Sequence, residues 1–442
     1  MGLGAVGDLA THLILSKLGP NDTGRVSCVS KRFRDSASAD SLWSKICLDD
    51  LGLVSPQDPQ GNPAPSFKAA YQLWREAFAM YPWPLVLRVK RCWGKLKSWL
   101  SKNYPEAEAT LRGGASESDI EQLERLLKMK LPLPTRVLYR FHDGQELAEN
   151  KLTGNSLLLL GIIGGYHFYD HLVNVYLLPL SQVIVETRKA RRRQGFSSRS
   201  KYIVVAASLT FNEKLFFLNC TNGQLYVGTG ELSTNGEMIP CVPNSLIHSV
   251  HDSSGDQHQD AMLLWLEEHG RRLESGIIKV REQEKIRTIS LFPEVPPSCS
   301  IAVTNGVKIR ASAVFVPEWA NLQHDSEKYL FAYSIRMSLL PDGCIINGMT
   351  FNSCQLYWRH WLIRSNDAIA FDGGGKAVIG EHPLLCPGEE EFIYESCTGL
   401  PSSLGSIEGH FTFVPGRLAH PEGAPFEVQV ATFPLQQPDY VF

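Results

Sequence analysis

The residues best suited to binding an anion lie in one run, Gly373-Gly374-Gly375-Lys376-Ala377-Val378-Ile379-Gly380. Glycines let backbone N–H groups approach a phosphate, and a lysine beside them adds a cation. Ala377 stands where a middle glycine would have to be, and an added Cβ makes close approach harder. No strand–helix–strand unit surrounds the run, so the dinucleotide-binding mechanism does not apply. The run reads as a tight turn between strands. Gly373, Gly375, Lys376 and Gly380 are its candidate ligand or substrate contacts, and a nucleotide- or pyrophosphate-binding enzyme or sensor is the alternative it keeps open.

Three further constellations are visible. Arg188, Lys189, Arg191, Arg192, Arg193, Arg199 and Lys201 form a basic run with no acid among them. Such a run reads as a solvated loop between strands, with nuclear import or an acidic partner as its functional readings. Stacking aromatics are few there, so nucleic-acid recognition is disfavoured. His167, Asp170 and His171 have ligand chemistry, but their glycine and aromatic neighbours argue for a turn and a strand, and no metal is expected. For catalysis the chain offers no G-x-S-x-G elbow, no H-E-x-x-H and no phosphate-loop lysine. Cys397 has no visible base beside it. The expectation is a non-catalytic protein with no cofactor.

The chain around these residues is ordinary for a folded protein. It has 442 residues, a formal net charge of -3, 43% hydrophobic and 20% charged residues. At roughly 100–200 residues per domain that means two to four domains. A near-neutral balance recruits neither nucleic acid nor an anionic membrane. No stretch reaches the ~18–20 uninterrupted apolar residues of a membrane span, and the first residues lack the basic start of a secretory signal. Ten cysteines are scattered singly with no C-x-x-C pair, which predicts reduced, mostly buried thiols in a cytoplasmic and/or nuclear protein.

Organisation follows from periodicity. Residues 1–50 hold two helical stripes, Leu9, Leu13, Ile14 and Leu18, then Val26, Val29 and Phe33, closed by Leu42 and Trp43. About forty residues cannot bury so much apolar surface alone, so the unit needs a partner or a neighbour. Residues 51–104 comprise a Pro/Gly-rich linker or lid and aromatic-rich helices. Residues 105–270 open with helices, Ser116 capping the first, and turn to short apolar strands, giving an α+β domain. Residues 271–297 are charge-rich and read as a helical linker. Residues 298–442 alternate short apolar segments with turns, the pattern of an antiparallel sandwich.

Three segments carry resemblances. DLATHLILSKLGPNDTGRVSCVSKRFRD followed by SLW resembles an F-box, although Ala10 stands where the usual proline follows leucine. IEQLERLLKMKLPLPTRVLYRFHDGQE looks like the opening of a Smi/Knr-type (SUKH) domain. FDGGGKAVIGEHPLLCPGEEEFIYESCTGLPSSLGSIEGHFTFVPG resembles ApaG, whose fold is an immunoglobulin/fibronectin-III-like sandwich. Their order is similar to that of plant and animal F-box proteins with an ApaG tail. The resemblance implies the substrate-recognition subunit of a Skp–cullin–F-box (SCF) ubiquitin ligase. A Skp adaptor would bind Leu9, Leu13, Ile14, Leu18, Val26, Val29, Phe33, Leu42 and Trp43, with cullin bound through the adaptor. An unnamed protein substrate would be held by the later domains, through sandwich loops at 372–382 and 397–408.

Overall fold

The computed structural model describes residues 8–147, 160–193, 196, 201–208, 213–248, 250–251, 258–283 and 286–442. Seven helices come first: α1 (Asp8–Leu15), α2 (Pro20–Ser27), α3 (Lys31–Ala37), α4 (Asp40–Leu51), α5 (Phe67–Ala77), α6 (Trp83–Asn103) and α7 (Pro105–Glu108). Their ends follow local chemistry. Pro20 opens α2, Ser30 and Ser66 accept hydrogen bonds from Phe33 N and Ala69 N to cap α3 and α5, and Gly52 ends α4 in the left-handed region. The segment between α4 and α5 is a packed lid. The Asp58 carboxylate accepts from Gln60 N and Asn62 N, and Trp74 Nε1 donates to Gln57 O at 3.0 Å.

The middle domain comprises α8 (Glu117–Leu127), α9 (Leu133–Phe141), β1 (Gly164–Phe168), β2 (His171–Leu177), α10 (Leu180–Ala190), β3 (Tyr202–Ser208), β4 (Lys214–Asn219), β5 (Leu225–Gly228), β6 (Met238–Pro240), α11 (Ala261–Glu274), β7 (Lys279–Gln283) and β8 (Ile286–Ser290). Ser116 and Asp119 form a capping box at the start of α8. The strands make one sheet in the order β6-β5-β4-β3-β2-β1-β8-β7, in which β1 and β8 run parallel. Nearly all of β3 is buried, as expected for a central strand covered on both faces.

Two sequence expectations fail here. The 271–297 segment is not a helical linker: α11 ends at Glu274, Gly276 turns at φ 70°, and β7 and β8 pair as a hairpin that extends the middle sheet. Val280 is the only apolar residue of β7, so the strand carries no period-two signal to set against the charged residues around it. The basic run is not a loop at its start either. Arg188 and Lys189 lie in the last turn of α10, where cations suit the helix dipole. Lys189 and Arg193 pair with Glu213, and Arg191 donates to Leu127 O. Arg199 lies outside the described residues.

The last domain holds β9 (Cys299–Thr304), β10 (Val307–Phe315), β11 (Tyr329–Leu339), β12 (Cys344–Ile346), β13 (Met349–Phe351), β14 (Cys354–Ser365), β15 (Ala368–Lys376), β16 (Leu384–Leu385), β17 (Phe392–Leu400), β18 (Leu404–Arg417), β19 (His420–Pro421) and β20 (Phe426–Gln436). One sheet runs β17-β11-β10-β9. The other is built on β15-β14-β18, with β20 also on β18. Ile309, Phe331, Ile335, Trp361, Phe411, Val428 and Phe433 fill the space between them.

A buried polar junction joins the sandwich to the middle domain. Glu318 accepts from Tyr166 Oη at 2.7 Å and lies 2.8 Å from His171 Nε2 and 3.5 Å from Lys214 Nζ. Burial pushes the Glu318 carboxyl up, but Lys214 and His171 outweigh it and hold it below the usual range. A second knot forms around Glu294, which meets Arg281 at 2.6 Å, Arg310 at 3.0 Å and also Arg336. His171, which sequence alone placed in an unremarkable turn and strand, is thus part of a domain contact.

Candidate adaptor-binding surface

The amino-terminal helices divide their apolar residues between two faces. Leu15, Ala37, Leu42, Trp43, Ile46, Cys47 and Leu51 are buried, and α4, which carries the last five, packs on α5 and α6. The Trp43 ring sits 5.5 Å from that of Tyr71, and its Nε1 donates to Ala37 O at 2.7 Å. Tyr71 in turn contacts Trp83, and its hydroxyl donates to Asp50 at 2.9 Å. The first core therefore spans the lid and joins the helical unit to α5 and α6. Burial pushes the Cys47 thiol up to about 11, so it packs as a small apolar group.

The other face is in water. Leu13 is 57% exposed, Ile14 48% and Val29 70%. Leu18, Val26 and Phe33 are half-buried. α3 packs against both α1 and α2, which fixes these residues on one small helical unit. The side chain of Leu9, in α1, lies outside the described residues. Leu42 and Trp43 must be withdrawn from the adaptor-facing set: their surface is already spent on the chain's own core. Sequence reasoning also passed over Leu48 on α4 and Val54 in the lid, both exposed. Leu48 was legible in principle, since it lies between the inward-facing Cys47 and Leu51 at a position that the α4 core stripe does not use.

The glycine run differs from its sequence reading. Gly373, Gly374, Gly375 and Lys376 lie within β15, paired with Trp361, His360, Arg359 and Trp358 of β14. Only Ala377–Gly380 turns, with φ values of 64°, 44° and 82° at Ala377, Ile379 and Gly380. A Cβ on Gly374 would stand 2.6 Å from both Arg359 O and Trp358 Nε1. That glycine makes room for a cross-strand indole, a packing reason rather than a phosphate-binding one. β15 is the edge of its sheet, and the N–H groups that an extended edge strand leaves unpaired alternate along its length rather than converge on one anion. The 397–408 segment is likewise mostly strand, with a turn only at 401–403 between β17 and β18. Among the described residues no cluster of His, Cys, Asp or Glu has the arrangement of a metal site. No described helix is long and apolar enough to cross a membrane.

The F-box-like family model matches residues 10–49, the unit α1–α4, and the ApaG domain model matches 320–415. Over its full length the chain is 59% identical to F-box protein SKIP16 of Arabidopsis thaliana, covering all of both proteins. The chain belongs to the SKIP16 family of F-box proteins. A more distant likeness is F-box only protein 3 of Homo sapiens, 26% identical over 91% of this chain and 76% of that protein. Protein ApaG of Nitrosomonas europaea is 33% identical over 30% of this chain and 91% of its own. The SKIP16-family pattern is thus a multidomain chain in which a helical F-box, an α+β middle and an ApaG sandwich follow in order.

Proposed function

We propose that this chain is the substrate-receptor subunit of an SCF ubiquitin ligase. The observation that carries the reading is the exposure of Leu13 and Ile14 on α1 and of Val29 in the turn between α2 and α3, on a helical unit whose other apolar residues are already packed. Covering such residues contributes ~1.5–3 kcal/mol each before association costs. The Skp-type adaptor docks there, and cullin joins through it. The middle domain and sandwich hold the substrate, which is ubiquitinated because it is kept at high effective concentration near a charged enzyme. No group of this chain needs to react. The protein works in the cytoplasm and/or the nucleus.

The exposed Ile369 and Phe371 of β15, with Ile379 in the turn, are the substrate contacts on this reading. Ile379 lies in the 372–382 segment that the sequence suggested, whereas Ile369 and Phe371 lie just before it and none lies in 397–408. The middle domain is of Smi/Knr type, opened by α8 and α9, and the hairpin β7–β8 belongs to it. Affinity purification of the intact chain beside a chain carrying Leu13→Asp and Val29→Asp, both exposed, tests the assignment. The intact chain is expected to retain a Skp adaptor and cullin, and the variant to lose both while keeping the substrate. Undiminished retention of the adaptor by the variant would sink it.

A further inference from the structure

After β20 the chain leaves the sandwich. Its last backbone hydrogen bond to the sandwich is Gln437 N donating to Ser403 O at 2.9 Å. Among the described residues no backbone–backbone hydrogen bond holds Pro438–Tyr440. Val441 and Phe442 are then buried in the middle domain. Val441 N donates to Cys241 O at 3.1 Å, just beyond β6, and Trp265 Nε1 of α11 donates to Val441 O at 2.7 Å. The Phe442 ring stacks on Trp265 with centroids 5.2 Å apart and planes 16° apart. His269 faces the same ring, and the Arg272 guanidinium lies 4.6 Å from its centroid. Lys214 Nζ, on β4, donates to Phe442 O at 2.7 Å and to Tyr166 Oη at 2.8 Å.

These are the parts of a peptide receptor. Cys241 O and the Trp265 indole satisfy the backbone N–H and C=O of Val441. Trp265, His269 and Arg272 form three walls around one aromatic ring, and a fully buried lysine holds the following carbonyl. Each wall belongs to the middle domain and the occupant comes from the far end of the sandwich. A cavity of about 300 Å³ lies beside the tail at the seam between the two domains, lined by Arg271, Ile277, Leu291, Val314, Pro438 and Tyr440 among others. If the site merely stapled two domains, the staple would be redundant, because Glu318 and Glu294 already join them at buried ion pairs.

We propose that this groove between α11, β4 and β6 is a peptide-binding site for an extended aliphatic–aromatic pair, filled in cis by Val441-Phe442. A partner segment of the same pattern binds there when the tail is displaced. The groove is chemically separate from the adaptor face, so the proposal stands or falls independently of the ligase reading. A tethered occupant works at an effective concentration on the order of millimolar, which makes the intact chain a poor binder until the tail is released.

The test uses three chains: intact, lacking residues 437–442, and Phe442→Ala. The probe is a labelled synthetic peptide of residues 435–442, followed by fluorescence anisotropy, with circular dichroism confirming the fold of each chain. The truncated chain is expected to bind saturably, the intact chain at least tenfold more weakly, and a peptide carrying the Phe442→Ala change not to bind. No saturable binding by a folded truncated chain at millimolar peptide overturns the proposal. Equal affinity of intact and truncated chains does too, because the peptide then sits elsewhere. If the truncated chain does not fold, the Phe442→Ala chain replaces it. That chain keeps the tail backbone without its anchor and is expected to bind at least tenfold more tightly than the intact chain, with equal affinities overturning the proposal.

Discussion

Trp43 and Phe442 lie near opposite ends of the chain, and each is an aromatic side chain buried by residues from another element. Around Trp43 the burial is one-sided. The helices α1–α4 turn Leu42, Trp43 and Ile46 onto α5 and α6 and leave Leu13, Ile14 and Val29 in water. Around Phe442 the burial is mutual, with Trp265 stacked on it and Arg272 above it. One end covers its core and keeps a second apolar face uncovered, whereas the other spends its last two residues inside a neighbouring domain. The difference teaches that burial fraction alone does not locate an interface. What matters is whether the apolar residues left over share a packed scaffold that holds them in place, as α1–α3 do.

Trp43→Ala is the most damaging change expected. It removes a buried indole from the joint between α4 and α5 and leaves Ala37 O without its donor. Loss of about 3–5 kcal/mol is the usual range for such a truncation. Leu13→Ala, on the exposed face, is expected to change stability by less than ~0.5 kcal/mol. Urea unfolding followed by circular dichroism measures both, and equal costs would erase the distinction between the two faces.

The reverse asymmetry is expected in binding. Leu13→Asp combined with Val29→Asp introduces charges where an adaptor would cover apolar surface. A drop of roughly 100-fold in adaptor affinity corresponds to about 2.7 kcal/mol, with the melting temperature unchanged. Titration calorimetry with a purified Skp-type adaptor reads it. An unchanged affinity would show that this face is not where the adaptor sits.

Much of this fold was legible because local signals agreed. Ser116 and Asp119 announce α8, Gly52 ends α4, and the alternation in 300–316 announces a strand pair. The hairpin at 279–290 is not legible because Lys279, Arg281 and Glu282 surround a single apolar residue, Val280, whose partner Ile289 lies across the turn. The adaptor face was legible only as an excess of apolar residues. The pattern could not divide that excess into Leu13 outside and Trp43 inside, because the division depends on α5, which follows more than twenty residues later. The glycine run misled for a related reason. Gly374 is there for Trp358, a cross-strand neighbour sixteen positions away, and no local rule exposes that. The groove for Phe442 was invisible, since Trp265 and Lys214 are far from it in the chain.

The glycines of β15 offer a way to sharpen the comparison between packing and binding surfaces. Gly374→Ala pushes a methyl group against Arg359 O and Trp358, and overpacking of this kind costs about 1–3 kcal/mol. Gly375→Ala meets nothing closer than the Arg359 guanidinium at 3.7 Å and is expected to be tolerated. Thermal melts of the two variants separate the cases. If both melted like the parent chain, the glycines would not be there for packing, and a ligand-binding reading of the run would regain its footing.

The smallest expected effect concerns pH, and it again sets the middle domain against the sandwich. Burial lowers the His269 imidazole to about 4, so the unfolded chain binds more protons between that value and the ordinary range near 6.5. Stability from His269 is present at neutral pH and is lost on acidification through that window. Burial raises the Glu395 carboxyl to about 7, although Arg281 opposes it. There the native state holds the extra proton, so its contribution is present in acid and lost as pH rises from about 4.5 through 7. Between pH 7 and 5.5 each term is worth ~1 kcal/mol in order of magnitude, with opposite sign. Burial also raises Asp260, to about 6, and lowers His142, to about 4, so the intact chain is expected to be nearly flat in this interval. His269→Gln should tilt it towards greater stability in acid, and Glu395→Gln towards less. The slope between the two pH values, from denaturant midpoints, is read rather than the absolute stability, because either change also removes a hydrogen bond. Parallel slopes for both variants and the parent would mean that neither group titrates differently in the folded chain.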